Sequence, residues 1–276
     1  MGGGLTIFYH LLTLLSSSPS ASNSAIPYLP ANFVPPRFAG IILDAPWIAL
    51  PPSSTPSTLK VVAGRLAAKI LPRFQLPNKF DPKFVSRNPQ VCEDWAKDDL
   101  CHDTVTLEGA AGMLDRHGEL ESLSKGKPEA TTFAPLYSTT VPSTHSSKFH
   151  SLSQTPILIL HGDGDLVTSY HASKALFASP SDTNSINPLP FLPPTARQFK
   201  TYEGGYHKLH ADQEGTEEDF ADDVGAWILK ILDERKIKNG NGKAKDEENG
   251  KRDEPTTTTT TSTTNLDISN TATAKL

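Results

Sequence analysis

The sequence predicts an α/β fold with a parallel sheet. Two nearly continuous apolar runs, at 38–43 (FAGIIL) and 156–160 (PILIL), are each followed by turn residues. Such runs are typical of strands that are covered on both faces, as they are in parallel sheets. Strand and helix patterns then alternate towards the C-terminus, and helices that follow strands in this way usually connect parallel strands.

The first core segment is predicted over residues 1–46. Residues 5–15 (LTIFYHLLTLL) form an apolar stretch that predicts a helix, residues 16–36 are rich in Ser, Pro and Asn and predict a loop, and the strand at 38–43 follows. The stretch also has the length of a signal peptide, and its start fits a myristoylation pattern. No Lys or Arg precedes it, however, so we prefer the helix.

A helical insert with loops, and without a sheet, is predicted over residues 47–150. Its first helix has an apolar face and stops at Pro72, and further helices are expected from Asn88-Pro89 and over 105–114. The polar stretch at 125–153 predicts a loop. The apolar face of the first helix consists of Leu59, Val62, Leu66 and Ile70. These four side chains either form a wall that binds an apolar ligand or only pack the insert onto the core.

The second core segment is predicted over residues 151–233. It holds the strand at 156–160, a helix at 170–178, a short strand at 199–202 and a last amphipathic helix that Thr216 can cap. Residues 234–276 are charged and then Thr-rich, with almost no apolar side chains. We expect this tail to be disordered, because it cannot bury enough apolar surface to offset the loss of chain entropy.

Composition excludes several classes of function. The formal net charge of the 276 residues is -5, and no cluster of Lys and Arg follows one helix face, so we expect no nucleic-acid partner. Cys92 and Cys101 are the only two cysteines and match no zinc spacing, which is typical of reduced cysteines in a cytoplasmic protein. No apolar run reaches the roughly 18 residues of a membrane span. We expect neither a metal nor a cofactor.

Two loops carry residues that are suited to catalysis. Asp165 follows the strand at 156–160, and His207 follows the strand at 199–202. Working groups of parallel sheets lie on loops at the carboxyl ends of strands, and an acid before a histidine is the order of α/β-hydrolases. Taken singly, the Asp is more often a turn residue and the His a solvated one. A metal held by His207 and His210 lacks a third ligand.

These loops resemble the monoacylglycerol lipase and lysophospholipase family of α/β-hydrolases, a family of the serine aminopeptidase type. PILILHGDGDLVTSYHASKALF resembles the segment with the catalytic acid, which implies Asp165 and not Asp163. KTYEGGYHKLHAD resembles the histidine loop, which implies His207 and not His210. VSRNPQVCEDWAKDDLCHD resembles the lid segment, so the insert is expected to be a helical lid. The resemblance, which runs to about residue 232, implies a serine hydrolase of lipid esters that works without a cofactor.

The resemblance extends to the N-terminus. The family's nucleophile turn reads Gly-His-Ser-Met-Gly-Gly, and this chain starts MGGGLTI. Met1 therefore matches the residue after the nucleophile, whose backbone amide helps to bind the oxyanion. No Gly-X-Ser-X-Gly occurs in the 276 residues. We expect an N-terminally truncated α/β-hydrolase that is inactive as written, with two alternatives: a non-catalytic binding or regulatory protein, or an incomplete gene model of an active lipase.

The family's substrates suggest where the protein acts. The resemblance implies a monoacylglycerol or lysophospholipid as the lipid ester substrate, with the four apolar residues of the first insert helix as candidates for the acyl-binding wall. It also implies contact of a cytoplasmic protein with the surface of a membrane or a lipid droplet.

Overall fold

The computed structural model describes residues 2–18, 29–30, 33–77, 81–101, 104–137, 147–177 and 187–250, with side chains up to residue 237. The helices are α1 (Gly2–Ser17), α2 (Thr58–Ile70), α3 (Pro89–Lys97), α4 (Leu107–Ser124), α5 (Ser147–Ser153), α6 (Tyr170–Phe177) and α7 (Thr216–Gly250). The strands are β1 (Ile41–Asp44), β2 (Gln75–Pro77), β3 (Thr104–Thr106), β4 (Ile157–Gly162) and β5 (Arg197–Tyr202). Short 3-10 turns lie at Pro52–Ser54, Pro82–Phe84, Pro128–Ala130, Ala134–Tyr137, Pro194–Ala196 and Leu209–Ala211.

A parallel sheet of three strands, in the order β1-β4-β5, forms the centre of the fold. Ile41 pairs with Ile157, and Ile157 pairs with Arg197 on the other side of β4. All six residues of β4 are buried, because this strand lies between the other two and is covered on both faces. The predicted α/β class with a parallel sheet is confirmed.

Alternate residues of β4 face two different apolar cores. Ile157 and Ile159 belong to a large core that includes α1, α4 and α6, whereas Leu158 and Leu160 pack with Trp227 of α7. Helices on both faces of the sheet therefore account for the continuous apolar run in the sequence of β4. β1 begins three residues later than predicted, at Ile41. Gly40 lies against Trp227, since a Cβ there would be 2.5 Å from the indole ring.

The structure corrects the prediction of an insert without a sheet. β2 and β3 form an antiparallel pair, with Leu76 opposite Val105. Strands of three residues are too short to carry an alternating pattern, which is why the sequence did not reveal them. β2 follows the C-terminal end of α2, and β3 directly precedes the first residue of α4.

Part of the predicted insert, 47–150, contributes side chains to the large core. α4 continues to Ser124, and its Leu120 and Leu123 are almost completely buried in the large core. The stretch predicted as a loop contains α5 and two 3-10 turns, and its Phe133 and Phe149 are buried in the same core. A few well-spaced apolar side chains anchor this polar segment to the core.

The tail predicted from residue 234 starts within the last helix. α7 starts at Thr216, where the carboxylate of Glu218 accepts a hydrogen bond from the amide of Gly215 at 2.7 Å, so Gly215 rather than Thr216 occupies the cap position. The helix then continues to Gly250, so the first part of the predicted tail is helical. Lys, Glu and Arg favour helix even without apolar neighbours. Residues 251–276 lie outside the described residues. The chain divides into two units, residues 1–231 and 232–276.

Among the described residues, no helix combines the length and the apolar character that crossing a membrane requires.

Candidate active site

The site lies where β4 and β5 end, at the carboxyl edge of the sheet. Asp165 follows β4 by three residues, and His207 follows β5 by five. The two loops touch, because the amide of Gly164 donates to the carbonyl of Gly205 at 3.1 Å. A Cβ on Gly162 would lie 2.0 Å from that same carbonyl oxygen. Glycine at 162 therefore lets the loop after β5 approach the end of β4.

Asp165 is held in one orientation by a dense set of donors. Oδ1 accepts from the amides of Val167 and Thr168 at 2.7 and 3.0 Å, a local turn that fixes the carboxylate. Oδ2 accepts from the hydroxyl of Thr168 at 2.8 Å and faces both His161 and His207. Burial raises the pKa of this carboxyl, but hydrogen bonds from the two histidines outweigh burial and hold the pKa well below its usual range. Asp165 is therefore an anion at neutral pH.

His207 points one ring nitrogen at this anion. Nδ1 lies 2.9 Å from Oδ2 of Asp165, and the side chain is 23% exposed. Among the described residues, Nε2 has no hydrogen-bond partner. Because a carboxylate can only accept, the proton of a neutral His207 is on Nδ1, and Nε2 carries a lone pair that can take a proton from another group. This is the arrangement of a general base with its orienting acid.

His161 is a second imidazole on the same carboxylate, and it was not among the predicted site residues. The ring is completely buried, with Nε2 at 3.1 Å from Oδ2 of Asp165. Thr168 also belongs to the site, since its hydroxyl lies 3.3 Å from the carbonyl of Ala45 as well as next to the carboxylate. A Thr three residues after an Asp is a signal for a local turn, whereas nothing in the sequence indicated the contact of His161.

The amino end of α1 lies at the same edge of the sheet. A Cβ on Gly3 would be 3.0 Å from Pro46, and one on Gly4 would be 2.3 Å from the carbonyl oxygen of Trp47. The loop at 45–47 thus separates this helix end from Thr168. The backbone of this loop is strained at Ala45, which adopts a φ of 42° that is unfavourable for a residue with a Cβ. Met1, the predicted oxyanion donor, lies outside the described residues.

Asp163 and His210, which the family resemblance does not imply as catalytic, have other partners. Asp163 accepts from the amide of Gly204 at 2.6 Å and so stabilises the turn after β5. His210 lies 3.0 Å from a carboxylate oxygen of Asp44 and is half exposed. Within the described part of the chain, no group of three or more His, Cys, Asp or Glu side chains is placed to hold a metal ion.

The four apolar residues of α2 do not pack onto the core. Leu59, Val62, Leu66 and Ile70 are 80%, 50%, 58% and 79% exposed, so the expectation that they only pack the insert onto the core is wrong. Val62 and Leu66 line an open cavity of about 570 Å³ between α2 and α4, whereas Leu59 and Ile70 lie outside it.

The chain is similar to known hydrolases over most of its length. The family model described as "Serine aminopeptidase, S33" matches residues 24–214. The chain belongs to this family of hydrolases. The monoglyceride lipase of Rattus norvegicus is 27% identical over 206 residues, which cover 74% of this chain and 54% of that protein. A putative monoglyceride lipase of Schizosaccharomyces pombe is 23% identical over 194 residues, or 70% of this chain and 41% of the relative. The chain thus spans about half the length of these relatives.

Solved structures show the fold. A monoacylglycerol lipase of Paleococcus ferrophilus superimposes with a TM-score of 0.52 at 19% identity, over 83% of this chain and 65% of its own. A soluble variant of monoglyceride lipase from Saccharomyces cerevisiae, in complex with a substrate analogue, gives a TM-score of 0.50 at 16% identity, over 70% of this chain and 56% of its own. The fold is that of an α/β-hydrolase, and the predicted resemblance to monoacylglycerol lipases is confirmed.

Proposed function

We propose that Asp165 and His207 are the acid and the base of a serine hydrolase that cleaves carboxylic esters of lipids, such as monoacylglycerols or lysophospholipids. The observation that carries the proposal is the 2.9 Å contact between Nδ1 of His207 and the buried carboxylate of Asp165. The names of the relatives support the ester of a monoacylglycerol as the substrate.

In this reaction a serine hydroxyl attacks the ester carbonyl, and Nε2 of His207 takes the hydroxyl proton. The protonated imidazole later returns the proton to the leaving alcohol, while Asp165 keeps the ring in the correct tautomer and stabilises its positive charge. Water then repeats the sequence on the acyl-enzyme and releases the fatty acid. In a protein that continues upstream of Met1, the backbone amide of Met1 is proposed to donate to the oxyanion.

We propose further that the 276 residues alone do not hydrolyse esters, because the printed sequence has no Gly-X-Ser-X-Gly motif. A fluorophosphonate probe should leave this chain unlabelled. The second part of the test uses the coding DNA upstream of Met1. If an in-frame Gly-His-Ser is found there, the longer protein can be expressed, and the probe should label it. Stoichiometric labelling of the 276-residue chain at one of its own serines would contradict the proposal.

The apolar face of α2 is proposed to contact lipid. Val62 and Leu66 would form part of the wall for an acyl chain, because they line the cavity beside α4. Leu59 and Ile70 would touch the surface of a membrane or lipid droplet. Besides Arg65, which is paired with Asp115, the helix carries Lys60 and Lys69 and no acidic residue, which favours an anionic lipid surface.

The test for the lipid surface is sedimentation of the protein with vesicles of phosphatidylcholine and phosphatidylserine. A variant with Leu59→Ser and Ile70→Ser should lose most of its binding. The matched control is Leu100→Ser, which removes a leucine that is 88% exposed but lies outside α2. Equal loss in both variants, or in neither, would refute a specific role of α2.

A further inference from the structure

A cluster of polar residues holds the loop that carries His207. Asp212, near the end of this loop, is completely buried, and its two carboxylate oxygens accept hydrogen bonds from Arg87. The amide of Arg87 donates to Oδ1 at 2.7 Å, and its guanidinium reaches Oδ2 with Nε at 2.9 Å and Nη2 at 2.8 Å. Burial raises the pKa of this carboxyl, but the bonds from Arg87 outweigh burial and lower it. The pair is therefore ionic.

The same cluster fixes the backbone on both sides of His207. The amide of Tyr206 donates to Oδ2 of Asp212 at 3.0 Å. The amide of Lys208 donates to the carbonyl of Val85 at 2.8 Å, and Val85 is two residues before Arg87. The residue before His207 is thus bound to the carboxylate of Asp212, and the residue after it is bound to the segment 85–87. Little freedom remains for the φ and ψ angles of His207.

Further bonds join the segment 85–87 to the rest of the loop and to α7. The hydroxyl of Ser86 donates to the carbonyl of Ala211 at 2.8 Å, and Nη2 of Arg87 donates to the hydroxyl of Thr216 at 2.9 Å. The turn before His207 also packs against this arginine, since a Cβ on Gly204 would lie 3.3 Å from Nη1 of Arg87. A single side chain, that of Arg87, therefore contacts the turn before His207, the carboxylate of Asp212 after His207 and the start of α7.

From this geometry we infer that Arg87 and Asp212 are positioning residues for His207: they hold the backbone so that Nδ1 meets Asp165. Hydrogen bonds join the two residues to each other, to Thr216 and to the backbone of Tyr206, so the role we infer for them acts through the loop of His207. The inference rests on the proposed role of His207 as the base. A planar guanidinium is required because its fork engages one carboxylate oxygen and the hydroxyl of Thr216 at once, which a lysine ammonium cannot reproduce.

The experiment follows the proton on Nδ1 of His207 by NMR in the 276-residue chain, with the resonance assigned through its loss in His207→Gln. In the Arg87→Lys variant, exchange of this proton with water should become about ten- to a hundredfold faster, since a charged hydrogen bond of the cluster is lost. Asp212→Asn should act in the same direction. The matched control is Arg65→Lys, because Arg65 forms a half-exposed ion pair with Asp115 in the insert and does not contact the loop of His207.

Circular dichroism and thermal unfolding establish that each variant is folded. If Asp212→Asn does not fold, the exchange rate in Arg87→Lys alone tests the inference. Exchange that rises in Arg87→Lys by more than its loss of unfolding free energy accounts for, and that does not rise in Arg65→Lys, supports positioning. A folded Arg87→Lys variant with the exchange rate of the wild type, or with a rise no larger than its loss of unfolding free energy predicts, would overturn it, because a merely structural ion pair speeds exchange only through global unfolding. The readout does not depend on ester hydrolysis. A longer protein that hydrolyses no ester would therefore refute the proposed function and leave this result standing.

Discussion

His10, in the middle of α1, should make the protein sensitive to mild acid. The side chain is 1% exposed and lies in the large core, and neither ring nitrogen has a hydrogen-bond partner among the described residues. Burial lowers the pKa of His10 from 6.5 to about 4. The folded state therefore keeps this imidazole neutral under conditions in which the unfolded chain already binds a proton.

The sign of the effect follows from proton linkage. The folded pKa lies below the unfolded pKa, so the stabilisation is fully present above about pH 6.5 and is lost as the pH falls towards 4. A shift of that size corresponds to about 3–4 kcal/mol of unfolding free energy once the pH has fallen below both pKa values, at about 1.4 kcal/mol for each pKa unit. Against a total stability of about 5–15 kcal/mol for a typical domain, this loss is large.

The assay is urea denaturation of the purified chain between pH 7.5 and pH 4.5. The variant His10→Leu should be at least as stable as the wild type at neutral pH, because it removes two buried nitrogens without partners, and its stability should fall less as the pH is lowered. His150→Leu is the control, since His150 is exposed. If wild type and His10→Leu lose stability in parallel across this range, the interpretation of His10 is wrong.

Three further predictions concern the backbone around the sheet. Ala45→Gly should raise the unfolding free energy by about 1 kcal/mol, measured in urea, because glycine adopts the φ of 42° without strain; an unchanged or lower stability would contradict this. Gly162→Ala should destabilise the chain by several kcal/mol, since the new Cβ would lie 2.0 Å from the carbonyl of Gly205, whereas Gly118→Ala, with open space around its Cβ, should be neutral or stabilising by about 1 kcal/mol; equal effects would refute the close approach. Ile42→Lys should reduce self-association measured by light scattering, because Ile42 is 37% exposed on β1, which pairs only with β4 among the described strands; unchanged scattering would show that this edge does not recruit other chains.

The elements that the sequence predicted well are those with a strong local pattern. β4 consists of buried apolar residues throughout, and α1 is apolar nearly all round, so each was evident from its own residues. β2 and β3 were missed because their conformation depends on pairing with each other, and Gln75-Leu76-Pro77 carries no strand signal of its own. The burial of Leu120 and Leu123 was not evident from the sequence, because these residues pack in a core built from elements that are distant in the sequence.

The same distinction holds for the site. Asp165 and His207 were predicted because each follows a strand within a recognisable motif, and the structure brings the two side chains together. The pair of Arg87 and Asp212 is separated by 125 positions, so no local pattern could connect them. His161 is close to Asp165 in the sequence, yet its contact depends on how the end of β4 turns, which a residue pattern does not specify. Polar contacts of this kind become visible only in three dimensions.

Ester hydrolysis by a longer protein that includes an in-frame Gly-His-Ser directly before Met1 tests the central claim most directly. The value to measure is kcat/KM for a monoacylglycerol, compared between the wild type, His207→Gln and His210→Gln. If His207 is the base, His207→Gln lowers kcat/KM by about 10⁴-fold or more, since removing a member of the triad abolishes most of the rate enhancement. His210→Gln is expected to stay within about threefold of the wild type, because its partner is Asp44 and not Asp165. Similar activity in His207→Gln and the wild type, or a larger loss in His210→Gln, would contradict the assignment of Asp165 and His207 as the catalytic acid and base.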